Sequence, residues 1–385
     1  MNEIENNGRQ VWIDWLRVIA CFMVMVVHSS EPFYIGGDGA LIESWSDALW
    51  ASFFDTFVRS CVPLFVIASS FLQFPLHYPT KTFFKKRALR VIVPLLVWSL
   101  FYAFYWGEPV SNLKNLLFNF NFAAGHLWFV YMLLGLYLLM PLLSPWAQKV
   151  GKKELSFYIG IWLISTLVPL VRDWAATEPL AITFGPTGIP RQALLPLWGE
   201  ACWNSYGLFY YVSGFFGYLL VGLWLRKFGD SLSPKKSFAI GIPSFVAGFA
   251  ICFFGFLRRV NQSAGGCFPV EGGYTYSVWW ETTWCYDTLG VALMTIGGVL
   301  MLRNIKSCGG FYRRLVLPVS NASYGMYLGH MVALSFYATL FRNLYTGLYA
   351  TPLTIVSTAV CSFVTVALIA VPLRKIPVLG KAVIG

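Results

Sequence analysis

Residues 11–30 read VWIDWLRVIACFMVMVVHSS. Twenty helical residues rise about 30 Å, which is the thickness of the hydrocarbon core of a bilayer. Asp14, Arg17 and His28 interrupt the apolar run. An ionisable side chain inside a span costs about 2.5–3.5 kcal/mol on insertion scales, so each is a functional candidate. The stretch therefore predicts a transmembrane helix that carries part of a site.

The whole chain has the composition of a membrane protein. Of its 385 residues 57% are hydrophobic and 12% charged, with a mean hydropathy of +0.63, whereas a globular chain has roughly 25% charged residues. These values exclude a soluble fold, a disulfide scaffold, a coiled coil and a disordered regulator. They predict an all-α polytopic membrane protein.

Apolar runs of about twenty residues predict about ten transmembrane helices in a single domain. This domain covers residues 1–385, with spans from roughly 12 to 373, no internal repeat and no appended soluble domain. The expected spans are 12–30, 49–73, 91–107, 122–144, 155–171, 203–225, 237–257, 283–302, 316–341 and 352–373.

The basic residues are distributed unevenly between the two sides. With the N-terminus inside, 20 of the 28 lysines and arginines fall in cytoplasmic segments and six in outer loops. The positive-inside rule then places both termini in the cytoplasm. The net charge of +11 thus reflects topology, and no nucleic-acid partner is indicated.

The eight cysteines have neither zinc-ligand nor CxxC spacing, so no metal site is predicted. Cys267 and Cys285 lie on or near one outer loop. Either a disulfide or two unpaired thiols is compatible with that placement.

The polar residues of the first span suggest a path across the membrane. Arg17 and His28 are eleven residues apart, so they lie on nearly one helix face about 16 Å apart. A cation at the inner end can hold a phosphorylated donor, and an imidazole at the outer end can take a proton from an acceptor. Glu31, three residues after His28, is placed to orient its ring or is an exposed loop acid. Asp14 is expected to form a structural pair with Arg17.

Two further charged groups stand out. Arg87 and Arg90 open the third span three residues apart, backed by Lys86, and such a cluster suits the phosphates of coenzyme A or a nucleotide. A topology signal with lipid head-group contact is the alternative. Asp55 and Arg59, four residues apart, are expected to neutralise each other.

Polar and aromatic residues in two other spans are candidates for an acceptor site or tunnel. Those in the fourth span can equally be interface anchors, whereas those in the ninth are denser than packing requires. The candidates are His126, Trp128, Tyr131, Ser323, Tyr327 and His330.

Four motifs occur in a familiar order: IDWLRVIACFMVMVVH from residue 13, the Arg87 and Arg90 pair, HLWFVY at 126–131 and SYGMYLGH at 323–330. From about residue 10 to 373 the chain resembles the membrane-bound acyltransferase-3 family of bacterial integral-membrane proteins. The resemblance implies transfer of an acyl group, usually acetyl, from cytoplasmic acyl-coenzyme A to a hydroxyl at the outer face. It implies a carbohydrate or lipid-linked glycan acceptor, no metal, and a multi-pass location in the bacterial inner membrane.

The resemblance also implies roles for individual residues. Arg87 and Arg90 would hold the coenzyme A phosphates, Arg17 would guide the pantetheine arm or support the site, and His28 would deprotonate the acceptor. The chain departs from the family where relatives often have Ser-Gly-Phe, since it reads Ser69, Ser70 and Phe71. This departure bears on close helix packing.

Two other function classes stay open at this point. A transporter or flippase for an envelope precursor also lines its path with intramembrane charge. A membrane sensor or assembly subunit would need neither Arg17 nor His28 for chemistry. The outer-loop tryptophans Trp174, Trp198, Trp279 and Trp280 can stack on sugar rings or anchor the interface.

Overall fold

A computed structural model describes residues 9–36, 39–107, 109–118, 122–175, 198–200 and 204–385. Of these described residues, 80% are helical. The helices are α1 Val11–Ser30, α2 Trp45–Val58, α3 Cys61–Gln73, α4 Thr80–Arg87, α5 Val93–Tyr105, α6 Pro109–Phe118, α7 Trp128–Lys149, α8 Lys152–Ser165, α9 Val168–Ala175, α10 Phe216–Phe228, α11 Pro234–Ala264, α12 Tyr274–Trp280, α13 Leu289–Leu302, α14 Leu317–Leu344, α15 Ala350–Leu373 and α16 Leu379–Val383.

The protein is an all-α, multi-pass membrane protein. Within the described ranges, seven helical segments are long and apolar enough to cross a bilayer, or eight if the bent pair 276–302 counts as one span. Helices α10 and α14 occupy two more of the expected spans. The total of about ten and the orientation of the termini stay predictions.

Two expected spans begin later than the sequence suggested. The sixth was expected from residue 203, which lies outside the described residues, but α10 begins at Phe216 after a 3₁₀ turn, Gly207–Val212. Gly207 and Gly214 have φ of +50° and +66°, and an α-helix requires φ near −63°. The eighth was expected from residue 283, whereas α13 begins at Leu289.

Two π-helical turns, Ala88–Ile92 and Tyr312–Val316, precede α5 and α14. In the first, the Val93 amide donates to the carbonyl oxygen five residues earlier, and the second has the same arrangement. Pro94 and Pro318 follow these turns and have no N–H to complete the ordinary bond to the residue four back. The wider turn is thus the local response to proline near the start of a span.

A small antiparallel sheet follows the C-terminal end of α1. Its strands are β1 Ile35–Gly36, β2 Gly39–Ile42 and β3 Val270–Gly273, and Gly39 lies opposite Gly273. The sheet joins the segment after α1 to the segment after α11. It is a minor exception to the all-α prediction.

The core forms around α1, which packs against α2, α3, α14 and α15. Leu16 and Ala20 of α1 are completely buried. At a second contact α11 packs on α13 through facing glycines. A Cβ on Gly297 would lie 2.4 Å from the Gly241 carbonyl oxygen, and one on Gly248 would lie 2.4 Å from that of Gly290. Such close backbone approach is how small residues join helices in membranes.

The unusual Ser70 also packs closely. Its hydroxyl donates to the Leu219 carbonyl oxygen at 2.6 Å, and a Cβ on Gly222 would lie 2.5 Å from the Ser70 Cβ. The close approach of α3 and α10 therefore depends on Gly222 of α10, which leaves room for the Ser70 side chain of α3.

Cys267 is exposed and Cys285 is buried, and both are free thiols. The disulfide alternative is therefore not formed in this structure, and the two cysteines are unpaired.

We expect Gly297→Ala to lower the free energy of unfolding by about 1–3 kcal/mol, because the added methyl group meets a backbone carbonyl. Gly298→Ala is the matched control, since a Cβ there meets no atom within 4 Å and alanine favours a helix. Thermal unfolding of both variants in one detergent measures the difference. Equal unfolding temperatures would contradict the glycine-mediated contact.

Candidate functional site

The C-terminal end of α1 carries an imidazole backed by a carboxylate. His28 Nδ1 lies 2.8 Å from Glu31 Oε2. An ionised carboxylate only accepts hydrogen bonds, so Nδ1 carries the proton and the neutral ring has its lone pair on Nε2. This pair matches the expectation that Glu31 is placed to orient His28. It is a geometry suited to general-base chemistry.

Three of the four histidines form one cluster. The His330 ring lies between the other two, with its centroid 5.2 Å from that of His28 and 5.1 Å from that of His126. His77, the fourth, is exposed in the segment between α3 and α4. Sequence reasoning proposed His126 and His330 as separate candidates. Only the packing of α14 against α1, with the segment before α7 beside them, brings them to His28.

Backbone carbonyls orient the other two rings. His330 Nδ1 donates to the Tyr327 carbonyl oxygen, and His126 Nε2 lies 3.3 Å from the Leu328 carbonyl oxygen. Each of these nitrogens therefore carries a proton. His330 Nε2 is buried and has no hydrogen-bond partner among the described residues. It is an acceptor available at the centre of the cluster.

The remaining acceptor candidates have different surroundings. The Tyr327 hydroxyl donates to the His126 carbonyl oxygen and so holds the cluster together. Ser323 donates to the Ser320 carbonyl oxygen within α14. Trp128 packs against Tyr286 at 5.6 Å between centroids, and Tyr131 is 48% exposed.

A buried ion-pair network lies next to this cluster. Arg59 donates to Asp55 Oδ1 at 2.9 Å and to Glu281 Oε2 at 3.0 Å, and Ser30 of α1 donates to Asp55 Oδ2 at 3.2 Å. The expected Asp55–Arg59 pair is present. Sequence reasoning missed Glu281, because it enters from a segment 222 residues away along the chain.

The expected pairing of Asp14 with Arg17 is wrong. Asp14 instead accepts two hydrogen bonds of 2.7 Å from Arg9, and one each of 2.6 Å from Tyr312 and Ser320. These four bonds use the acceptor sites of the carboxylate. The partners of Asp14 are therefore Arg9, Tyr312 and Ser320 instead of Arg17.

Arg17 is half-buried, and within the part of the chain that the structure describes its guanidinium has no hydrogen bond and no ion pair. Asp14, Tyr137 and the like-charged Arg9 and Arg374 act on it electrostatically. An intramembrane cation without a directly bound carboxylate is costly. It suits an anionic ligand.

Tyr137, which interacts electrostatically with Arg17, also contacts Arg87 and Gln73. The Arg87 guanidinium carbon lies 5.7 Å from the Tyr137 ring centroid, and Gln73 Nε2 donates to Ser69 and to the Tyr137 hydroxyl. Gln73 Oε1 and Arg87 Nε are buried without partners among the described side chains. A spare acceptor and spare donors thus converge at the N-terminal end of α1.

The three-residue spacing of Arg87 and Arg90 would bring both onto one face of a regular α-helix, and the structure departs from that geometry. A π-helical turn begins directly after Arg87 and contains Arg90, so the usual spacing of an α-helix does not apply. Arg87 is half-buried, whereas Arg90 and Lys86 are exposed. Lys86 lies over the Tyr78 ring at 4.8 Å.

A family model described as an acyltransferase domain matches residues 10–371. The chain belongs to the acyltransferase-3 family. It is accordingly a membrane acyltransferase, and both α1 and the histidine cluster lie within the matched region. No curated protein matches the chain significantly, and no solved structure does.

The tryptophans that were expected in outer loops differ in exposure. Trp174 is 79% exposed and Trp198 is half-buried. Trp279 donates to Asp173 and Trp280, which is fully buried, donates to Ser263. Trp279 and Trp280 thus contribute to packing. The described residues include no group of three or more His, Cys, Asp or Glu side chains arranged to hold a metal ion.

We expect Asp55→Asn to destabilise the protein strongly, because Arg59 stays buried beside a weaker acceptor. Removing one partner of a buried pair costs about 3–5 kcal/mol of stability. We expect a value near the lower end of this range, because Arg59 still pairs with Glu281. Asp230→Asn is the control, since Asp230 is exposed and 3.8 Å from Arg303. Unfolding temperatures in one detergent compare the two. An unchanged value for Asp55→Asn would contradict the structural role.

Proposed function

We propose that the acyltransferase moves an acyl group, most simply acetyl, from acyl-coenzyme A to a hydroxyl of an extracytoplasmic acceptor. The observation that supports this best is the arrangement of α1. It carries Arg17, a cation with no bonded partner among the described residues, and a carboxylate-backed imidazole, His28, about 16 Å further along the helix. The donor phosphates and the acceptor hydroxyl are thereby assigned to opposite ends of one helix.

The donor half of the proposal rests on the cluster near the N-terminal end of α1. Arg17 and Arg87 bind phosphate oxygens, which satisfies the free guanidinium donors. Arg90 and Lys86, being exposed, extend the positive surface for the remaining phosphates. Gln73 Oε1 accepts a hydrogen bond from an amide or hydroxyl of the pantetheine arm.

The transfer step rests on His28. Its Nε2 takes the proton of the acceptor hydroxyl while the oxygen attacks the thioester carbonyl carbon. Glu31 stabilises the resulting imidazolium. The carbon–sulfur bond then breaks, the acyl group stays on the acceptor oxygen, and the leaving thiolate takes the proton from His28. The thioester is already activated, so we propose no metal.

The proposed acceptor is a carbohydrate or lipid-linked glycan of the cell envelope. The proposed location of the protein is the bacterial inner membrane. The charge distribution supports this orientation, since the N-terminal end of α1 then faces the cytoplasm, where acyl-coenzyme A is made. His28 then faces the outer side. Membrane lipid surrounds the helices.

We expect purified protein to hydrolyse acetyl-coenzyme A slowly without an acceptor, and His28→Ala to reduce this rate at least 100-fold, as loss of a general base does. Glu31→Gln should reduce it less, because the base stays. His77→Ala, in the exposed segment, should leave it unchanged. Full activity of His28→Ala would contradict the base assignment. A wild type that binds neither acetyl-coenzyme A nor longer acyl-coenzyme A would exclude the donor, and a flippase would be tested next.

We expect Arg17→Gln and Arg87→Gln each to raise the Kd for acetyl-coenzyme A at least tenfold, because each loses a charged phosphate contact. Arg313→Gln is the matched control, since Arg313 is exposed in the other π-helical turn. Gln73→Leu should weaken binding of acetyl-coenzyme A but not of adenosine 3′,5′-bisphosphate, which lacks pantetheine. Calorimetric titration measures all four. If all four variants bind acetyl-coenzyme A with the same Kd as wild type, the donor does not bind at Arg17, Arg87 and Gln73.

A further inference from the structure

A cavity of about 550 Å³ lies beside the C-terminal end of α1. Its walls come from the segment after α1, the start of α2 and the connection between α14 and α15. Small-molecule sites usually measure roughly 300–1,000 Å³. The volume therefore suits a ligand of one or two sugar rings.

The lining is rich in groups that bind hydroxyls. It includes Glu43, Asp47, Arg342 and Thr354. Neither the Glu43 carboxylate nor the Arg342 guanidinium has a hydrogen bond or ion pair to another described residue, so both are free to bind a ligand. Asp47 differs, because it already accepts from Ser44 and Thr351.

The lining also contains two aromatic rings, Phe33 and Tyr345. The Arg342 guanidinium carbon lies 5.7 Å from the Phe33 ring centroid, so the ring face steadies the cation. Aromatic faces pack against apolar surface, which the C–H faces of a sugar ring provide. Acidic acceptors, a planar donor and ring faces together match a polyhydroxylated ring.

We propose that this cavity binds a neutral sugar unit of the acceptor. The lining contains two carboxylates, Glu43 and Asp47, and one guanidinium, Arg342, so its net charge is negative. This charge disfavours binding of an acidic sugar or a phosphate. Carboxylates accept from sugar hydroxyls, and the guanidinium donates to their oxygens.

The position of the cavity relates it to the reacting centre. Pro32 and Phe33 line it, and they directly follow Glu31, which binds His28. Pro32 is four residues after His28, in the 3₁₀ turn Glu31–Phe33 that follows α1, so the two residues are about 7 Å apart along the helical axis. A sugar held here can present a neighbouring hydroxyl to His28. This last point rests on the proposed acyl transfer, whereas sugar binding itself does not.

The test is saturation-transfer NMR on the protein in lipid nanodiscs. Maltoside detergents are avoided, because their head group is itself a neutral disaccharide. The neutral probes are maltose, cellobiose and N,N′-diacetylchitobiose, and the acidic probe is digalacturonic acid. Acetyl-coenzyme A hydrolysis is measured on the same samples, so failure of the donor reaction is seen separately.

We expect at least one neutral probe to receive saturation from wild type, and the effect to fall at least threefold in Glu43→Gln and Arg342→Gln. The matched controls Glu271→Gln and Arg258→Gln remove exposed charges that do not line the cavity and should leave it unchanged. No effect with any neutral probe, equal effects in all variants, or a larger effect with digalacturonic acid would each overturn the proposal. His28-dependent hydrolysis persisting in those cases would leave the proposed function intact.

Discussion

The hydrogen bonds of Asp14 determine which charged side chain near the N-terminal end of α1 is available to a ligand. Arg9 donates twice to its carboxylate, and Tyr312 and Ser320 donate once each. These bonds tie α1 to the second π-helical turn and to α14. They also leave no acceptor position for Arg17, three residues away, and so make a half-buried cation available to a ligand.

Arg59 and Arg17 both lie in predicted membrane spans, but their guanidinium groups differ in their bonding partners. Arg59 is satisfied by Asp55, Glu281 and the Trp284 carbonyl oxygen, so its charge is neutralised within the protein. Among the residues that the structure describes, Arg17 has no comparable partner. Because burying an unpaired charge is costly, the difference directs attention to Arg17 as the ligand-binding cation. Gln73 and Arg87, each with a buried atom that has no partner among the described residues, agree with this.

The fold was largely predictable because hydropathy is a local property of twenty-residue windows. The expected first span, 12–30, differs from α1 by one residue at its start. Predictions failed where the backbone departs from an α-helix. Positive φ at Gly207 and Gly214 delays α10, and the π-helical turn at Ala88–Ile92 changes the relation of Arg87 to Arg90.

The sequence by itself determined that this is a membrane protein and that His28, Glu31 and Arg17 are site candidates, because charge within an apolar run is visible without coordinates. Only the tertiary structure decided which groups are partners. His126 and His330 reach His28 from distant segments, Glu281 reaches Arg59 and Arg9 displaces Arg17 at Asp14. Pairing depends on distances across helix interfaces, which helical spacing within one segment does not specify.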